Sequence, residues 1–301
     1  MTSLHNRKSS GDANPGSPIV GTPLSGAGDD GPAVISATRQ ELGRLRVKRF
    51  FLRALYIIVP FTALITIWYL AATYGGYPSY LFPPPQKVLA TGIELLKDGT
   101  LAEQTWASSQ RILFGSVAAI AVGLPLGVAM GLNRTVANYS APLVTFFQAI
   151  PGIAWIPLAI LWFGLGFRTA TFIVFLSVFF PMLFNTLIGV RSVQQNMINA
   201  ALTLGANKRQ VITDVILPGA LVNIVTGMRL GIGYGWRALV AVEILGASSG
   251  LGYMIFDARA QLKSDVVVLG MVCLGVIWLI VDSVLLKPLE SRTIEKWGVL
   301  R

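Results

Sequence analysis

Two charged side chains lie on one face of an otherwise apolar stretch, residues 220–245. On a helix that turns 100° per residue, four side chains fall within about 60° of one another: Arg229, Trp236, Val240 and Glu243. Arg229 and Glu243 would be about 21 Å apart at 1.5 Å per residue, so they cannot pair with each other. Ionised groups at membrane depth are costly and usually functional. We therefore expect Arg229, Trp236 and Glu243 to line a translocation pathway, with ion pairs to neighbouring helices as the open alternative.

The charge of Arg229 would favour one class of solute. A guanidinium does not lose its proton in proteins, so Arg229 would attract an anion and repel a cation along a mostly apolar passage. Arg237 is rotated about 80° from this face and is expected to be structural. Asp282, within the apolar stretch 266–286, is expected to pair with a basic neighbour or to extend towards the membrane surface.

Residue counts exclude several kinds of chemistry. The chain has one cysteine, Cys273, and one histidine, His5, so we expect no catalytic centre and no metal site. No Gly-x-x-x-x-Gly-Lys-Ser/Thr loop occurs, so this chain is not expected to bind ATP. The formal net charge is +10, but the basic residues are spread over the ends of apolar runs, which argues against nucleic acid as a partner.

The composition, with 53% hydrophobic and 13% charged residues, indicates an all-α polytopic membrane protein. Residues 1–38 are rich in Ser, Gly, Pro and Asp and predict a disordered cytoplasmic tail. Residues 39–301 would form the transmembrane domain. Runs able to cross about 30 Å of hydrocarbon predict six transmembrane helices, at about 54–74, 112–132, 142–165, 170–190, 220–245 and 266–286.

Prolines interrupt the third of these runs. Pro142, Pro151 and Pro157 each remove a backbone donor and should bend the helix. Carbonyls freed at membrane depth are tolerated only against protein or a wet cavity. We therefore expect Pro151, Trp155 and Pro157 to face the interior of an assembly, beside the translocation pathway.

Glycines recur at every fourth position in two runs, where they allow close helix packing. We expect packing within one chain, and contact between two copies is the open alternative. The glycines are Gly123, Gly127 and Gly131 in the second run and Gly227, Gly231 and Gly235 in the fifth.

Residues 197–218 predict a helical hairpin outside the membrane. Apolar residues at helical spacing predict a first helix that ends at Gly205, where the chain would turn with a positive φ. A second short helix would end at Pro218. The 197–218 hairpin suits docking onto a partner through Asn199, Ala200, Ala201, Gly205, Lys208, Arg209, Leu217 and Pro218.

Lysine and arginine are distributed unequally between the two sides of the membrane. With the amino terminus inside, about fourteen of these residues lie on the cytoplasmic side and about six on the outside. This bias predicts that both termini and the 197–218 hairpin are cytoplasmic.

Several segments resemble, in the same order, the permease subunits of ATP-binding-cassette (ABC) importers, in the nitrate, sulfonate and taurine branch. The hairpin resembles that family's Glu-Ala-Ala loop: two alanines, a glycine four residues after the second, and Leu-Pro twelve residues after the glycine. Asn199 departs from the pattern, because the family usually has glutamate there, and a charged contact to the ATPase would be lost. The other resembling segments are 81–85, 150–164, 238–243, 250–253, 287–292 and 297–298.

This resemblance implies a type I importer permease in the inner membrane of a prokaryote. It further implies cytoplasmic ATPase subunits docked on the hairpin, which would bind and hydrolyse ATP with magnesium. A second permease copy, most simply in a homodimer, and an extracytoplasmic substrate-binding protein would complete the importer.

Two matters stay open in the sequence. A stand-alone secondary transporter or channel that uses Arg229 and Glu243 as its ion site is the rival interpretation. The solute is also open, because in this family the binding protein does most of the selecting. Nitrate, sulfonates, taurine, bicarbonate and neutral heterocycle precursors all fit.

Overall fold

The computed structural model describes residues 56, 58–76 and 78–297, with side chains described as far as residue 293. The predicted tail at 1–38 and most of the amino-terminal basic block therefore lie outside the described residues. The chain divides into two units, Met1–Leu64 and Ile65–Arg301. In the first unit, the described residues 58–64 belong to an apolar helix, α1 (Ile58–Tyr74).

The described part of the second unit is helical, as predicted. Its helices are α2 (Pro85–Lys97), α3 (Thr100–Leu132), α4 (Arg134–Gln148), α5 (Ile156–Phe163), α6 (Phe167–Ser192), α7 (Gln195–Thr203), α8 (Lys208–Gln210), α9 (Leu217–Gly246), α10 (Leu251–Ala260), α11 (Ser264–Ile280) and α12 (Lys287–Trp297). A π-helical turn, Val211–Ile216, joins α8 to α9, and another, Val281–Leu286, joins α11 to α12.

Four helical stretches in the described residues are long and apolar enough to cross a membrane: Thr100–Leu132, Phe167–Ser192, Lys208–Gly246 and Ser264–Thr293. The bent pair α4 and α5 makes a fifth if it counts as one span. Helix α1 covers most of the first predicted run but is shorter than these. The predicted count of six spans therefore stays a prediction.

The third predicted run is not one helix. Helices α4 and α5 meet at a bend of 86°. The break follows Gln148, and Pro151 precedes a single 3₁₀ turn, Gly152–Trp155. Pro157 lies in the first turn of α5, where its missing N–H costs nothing, and α4 continues through Pro142. Only the middle one of the three prolines thus lies at the break.

Helix α6 lies at the centre of the fold and packs against both α3 and α9. Ile173, Val174 and Val178 on α6 are fully buried. Both predicted glycine series contact this helix. A Cβ on Gly127 of α3 would lie 2.7 Å from the Leu183 carbonyl oxygen, and one on Gly227 of α9 would lie 2.5 Å from the Asn185 Cβ. The glycines therefore serve packing within one chain, as expected.

This packing predicts unequal effects for two Gly→Ala substitutions. Gly227→Ala should lower the stability of the purified permease by about 1–3 kcal/mol, because α9 and α6 would have to move apart. A Cβ added at Gly275 in α11 would have no neighbour within 4 Å apart from the backbone of its own helix. Gly275→Ala should therefore be neutral or slightly stabilising, since alanine favours helix. Thermal unfolding in detergent measures both. Equal stability of the two variants would contradict the close approach of α9 to α6.

Candidate functional sites

The 197–218 hairpin turns at Gly205, which has φ +88°. The predicted positive φ is confirmed. The Gly205 N–H donates to the Leu202 carbonyl, and the Ala206 N–H donates to the Ala201 carbonyl, each at 3.0 Å. Asn207 then caps α8: its side chain accepts from the Gln210 N–H at 2.9 Å, and the Gln210 side chain accepts from the Asn207 N–H at 2.8 Å. The turn is therefore fixed from both sides.

The second arm of the hairpin differs from the prediction. It does not end at Leu217 and Pro218 but continues as one helical stretch, Lys208–Gly246. The π turn explains this, because the Leu217 N–H donates to the Ile212 carbonyl, five residues back. This change of register comes just before Pro218, which has no N–H to donate. The hairpin is thus directly continuous with α9.

The surface of the hairpin is exposed and partly apolar. Asn199, Ala200, Lys208 and Arg209 are exposed, and Ala201 is half-buried. Leu204 has 88% of its surface exposed. The hairpin groove, about 900 Å³ in volume, separates α7 from the start of α9 and is lined by Met197, Ala200, Ala201, Leu204, Val215, Pro218 and neighbouring residues. Large exposed apolar surface of this kind is typical of a docking site.

Arg229 is paired with two carboxylates. Its Nε donates to Asp282 Oδ1 at 2.8 Å, and its Nη1 donates to Glu290 Oε2 at 2.5 Å. Lys287 Nζ lies 3.1 Å from the other Asp282 oxygen. The four charges sum to zero, so Arg229 is not the uncompensated positive group that the sequence suggested. Asp282 has the basic neighbours that were predicted for it.

Glu243 is also paired, with a residue that the sequence did not indicate. Its Oε1 accepts from Arg111 Nη1 at 2.7 Å, and both of its oxygens lie within 2.9 Å of Ser108 Oγ. Arg111 is one of the basic residues that the sequence placed on the outer side, yet it is only 3% exposed. Its partner is 132 residues away in the sequence. The one sign in the sequence that Arg111 could be buried was its position just before the apolar run 112–132.

The Arg111–Glu243 pair fixes the loop after α9. Arg111 also donates to the Ser249 carbonyl at 2.6 Å, and the Gly252 N–H donates to Glu243 Oε2 at 3.0 Å. Gly250, at φ +107°, contacts this pair so closely that an added Cβ would overlap the Glu243 carboxylate. These contacts join α3, α9 and α10. The rival interpretation required Arg229 and Glu243 as an ion site, but both side chains are engaged by partners within the chain.

A second cavity, of about 440 Å³, opens at the break between α4 and α5. We call it the Pro151 cavity; its lining includes Gln148, Pro151, Trp155, Ser177, Tyr234 and Arg237. Of the predicted pathway residues, Pro151 and Trp155 are brought together here. Pro157, Arg229, Trp236 and Glu243 are not among its lining residues. Trp236 is buried against Trp278, with ring centroids 6.3 Å apart.

Comparison with known proteins gives a consistent result. The family model "Binding-protein-dependent transport system inner membrane component" matches residues 119–289. The chain is 39% identical over 234 residues to the taurine transport system permease protein TauC of Escherichia coli (strain K12). The matched region covers 76% of this chain and 85% of TauC.

The chain belongs to this family of transport permeases. It is 33% identical to the putative aliphatic sulfonates transport permease protein SsuC of Bacillus subtilis (strain 168), over 78% of this chain and 84% of SsuC. It is 35% identical to the bicarbonate transport system permease protein CmpB of Synechococcus elongatus, over 62% of this chain and 67% of CmpB. The resemblance to ABC importer permeases is thereby confirmed.

The fold of the permease agrees with this family assignment. A chain of the inward-facing MetNI methionine ABC transporter superposes with a TM-score of 0.51, covering 61% of this permease and 93% of that chain. The identity is 19%, so this likeness concerns the fold alone. The expected type I importer permease fold is confirmed.

The turn at Gly205 can be tested by two substitutions of similar size. Gly205→Val should lower both the amount of ATPase that co-purifies and the rate of ATP hydrolysis, because a β-branched residue at positive φ is strained by about 1–2 kcal/mol or more. Gly205→Asn should retain both, since asparagine tolerates this conformation. If both variants lose the ATPase equally, bulk rather than backbone strain is the cause. Wild-type hydrolysis in Gly205→Val would remove the turn from coupling.

The ion pairs of Arg229 predict a defect of stability rather than of transport. Arg229→Gln should lower the melting temperature of the permease by about 2–4 °C, because it leaves two carboxylates without their partner and partly exposed pairs contribute about 1 kcal/mol. Arg229→Lys should recover part of this loss. Uptake per assembled complex should stay near that of the wild type. Unchanged stability with several-fold lower anion uptake would instead place Arg229 in the pathway.

Proposed function

We propose that this permease forms the passage of an ATP-driven importer for a small anion or a small zwitterion that carries an oxyanion group, with taurine, another sulfonate, bicarbonate and nitrate as the candidates. The observation that supports this most strongly is the 39% identity to the taurine permease over most of both chains. Relatives named for aliphatic sulfonates and bicarbonate support the wider class. These solutes share an oxyanion group, which a passage for any of them must accept.

The 197–218 hairpin is the proposed docking site for cytoplasmic ATPase subunits. The support is its exposed groove and the exposed Asn199, Ala200, Lys208 and Arg209. Asn199 is uncharged, and its Oδ1 accepts from Gln195 Nε2 at 3.1 Å. Docking would therefore rest on apolar contacts and on the basic residues more than on a carboxylate. In this proposal the permease binds no cofactor, and the ATPase subunits bind ATP with magnesium.

A second copy of the permease and an extracytoplasmic substrate-binding protein complete the proposed importer, which lies in the inner membrane of a prokaryote. Exposed leucine, isoleucine and phenylalanine side chains along α3 and α11 suit lipid or a second copy. A homodimer is the simplest arrangement. The lysine and arginine bias supports cytoplasmic termini and a cytoplasmic hairpin.

The Pro151 cavity is the proposed part of the passage within this chain. Pro151 and Trp155 line it, and its position at a broken helix suits a wet interior, because irregular backbone at membrane depth needs protein or water around it. Trp236 and Glu243 would position α9 beside the passage, through their contacts with neighbouring helices, and Pro157 would start α5 next to it. Arg229, which does not line the cavity, would stabilise the chain through its ion pairs.

Reconstitution tests this function directly. The permease should be co-expressed with an ATPase subunit and a substrate-binding protein from the same organism, purified, and placed in liposomes containing ATP. We expect the ATPase to co-purify and at least one of taurine, ethanesulfonate, bicarbonate and nitrate to be taken up only when ATP and the binding protein are present. Vesicles without ATP are the control. Uptake by the permease alone, without ATP, would support a secondary transporter instead.

A further inference from the structure

Arg237 differs from the other charged residues of the fifth and sixth apolar runs. Arg229, Glu243 and Asp282 all form ion pairs within the chain. Within residues 56, 58–76 and 78–293, by contrast, no carboxylate oxygen lies within 4.0 Å of the Arg237 guanidinium. Its side chain is exposed and borders the Pro151 cavity.

The depth of Arg237 makes this exposure significant. It lies nine residues before Gly246, the last residue of α9, which is about 14 Å along the helix at 1.5 Å per residue. In the predicted span 220–245, Arg237 is about 12 Å from the nearer end at 1.5 Å per residue. A guanidinium at that place in a membrane span is too costly to face lipid tails, so it must face protein or a water-filled cavity. The Pro151 cavity provides that surrounding.

The contacts of Arg237 leave its donors available. Its guanidinium carbon lies 5.7 Å from the centroid of the Tyr234 ring. A guanidinium above an aromatic ring keeps its N–H groups in its own plane, so this cation–π contact orients the group without using its hydrogen bonds. The Gln148 side chain, with a carboxamide that can also donate, is exposed and lines the same cavity.

We infer that Arg237 is the residue that contacts the transported anion in the Pro151 cavity, by donating two hydrogen bonds to an oxyanion group. This inference rests on the proposed import of small anions and names the residue that selects their charge. Sulfonate, bicarbonate and nitrate each present two or more oxygens that match the planar fork of arginine. Arg237 is the one cationic residue among the described residues that line the cavity, so the contact is brief and allows release, as a passage requires.

The experiment uses the complete importer in liposomes, with taurine, ethanesulfonate, bicarbonate and nitrate as probes. Arg237→Gln should lower uptake per assembled complex by about tenfold or more, because a hydrogen-bonded pair of charges is lost. Arg237→Lys keeps the charge and should keep a larger share of uptake. Arg229→Gln is the matched control, since it makes the same change on the same helix at a paired arginine and should leave uptake per assembled complex near the wild-type value.

Chemical restoration of the charge separates transport from folding. Arg237→Cys can be made in a Cys273→Ala background, because Cys273 is the only cysteine of the chain. After assembly, 2-aminoethyl methanethiosulfonate would add a positive group at position 237, and methyl methanethiosulfonate would add a neutral one. We expect the first reagent to raise uptake several-fold over that with the second. Equal uptake after both reagents would overturn the inference.

The other outcomes are equally decisive. Wild-type uptake by assembled Arg237→Gln complexes would overturn the role of Arg237 while leaving the import function intact. Failure of the glutamine, lysine and cysteine variants to assemble would show that Arg237 holds a contact between subunits, and would also overturn it. If the wild-type importer takes up none of the four anions, the proposed function fails first, and the inference fails with it.

Discussion

A polar group in hydrocarbon has no water to bind, so each one must find a partner inside the protein or in a wet cavity. This constraint accounts for the main polar contacts of α9. Glu243 is held by Arg111, Ser108 and the Gly252 N–H, and Arg229 is held by two carboxylates. Each pair joins α9 to another part of the chain, so the same contacts that satisfy the charges also fix the position of the helix.

The packing of glycines against α6 is a second restriction on where the helices can lie. Because the glycines of α3 and α9 let both helices approach α6 closely, α6 lies between them with a fully buried centre at Val174 and Val178. The ion pair between Arg111 and Glu243 also joins α3 to α9 directly, without α6. These three helices therefore hold one another from several sides. By contrast, the break around Pro151 and the hairpin turn at Gly205 are exposed, and both functional proposals concern these exposed places.

The sequence predicted what depends on neighbouring residues. The apolar runs, the glycine series and the positive φ of Gly205 follow from spacing and from the chemistry of single residues. Contacts between distant segments could not be predicted in this way: Arg111 lies 132 residues from Glu243, and Asp282 lies 53 residues from Arg229. The unpaired state of Arg237 was missed for the same reason, since helical angles locate a residue on its own helix but do not show what surrounds it.

The continuity of the hairpin with α9 bears on how ATP hydrolysis could reach the passage. The second helix of the hairpin was expected to end at Pro218, but the π turn maintains hydrogen bonding up to that point. Arg237 is therefore about 44 Å from Lys208 along one continuous helical stretch, at 1.5 Å per residue. The far end of this stretch is tied to α3 by Glu243. In the proposed importer, a displacement of the hairpin is therefore carried along this stretch towards the Pro151 cavity, because Tyr234 and Arg237 of α9 belong to the lining of that cavity.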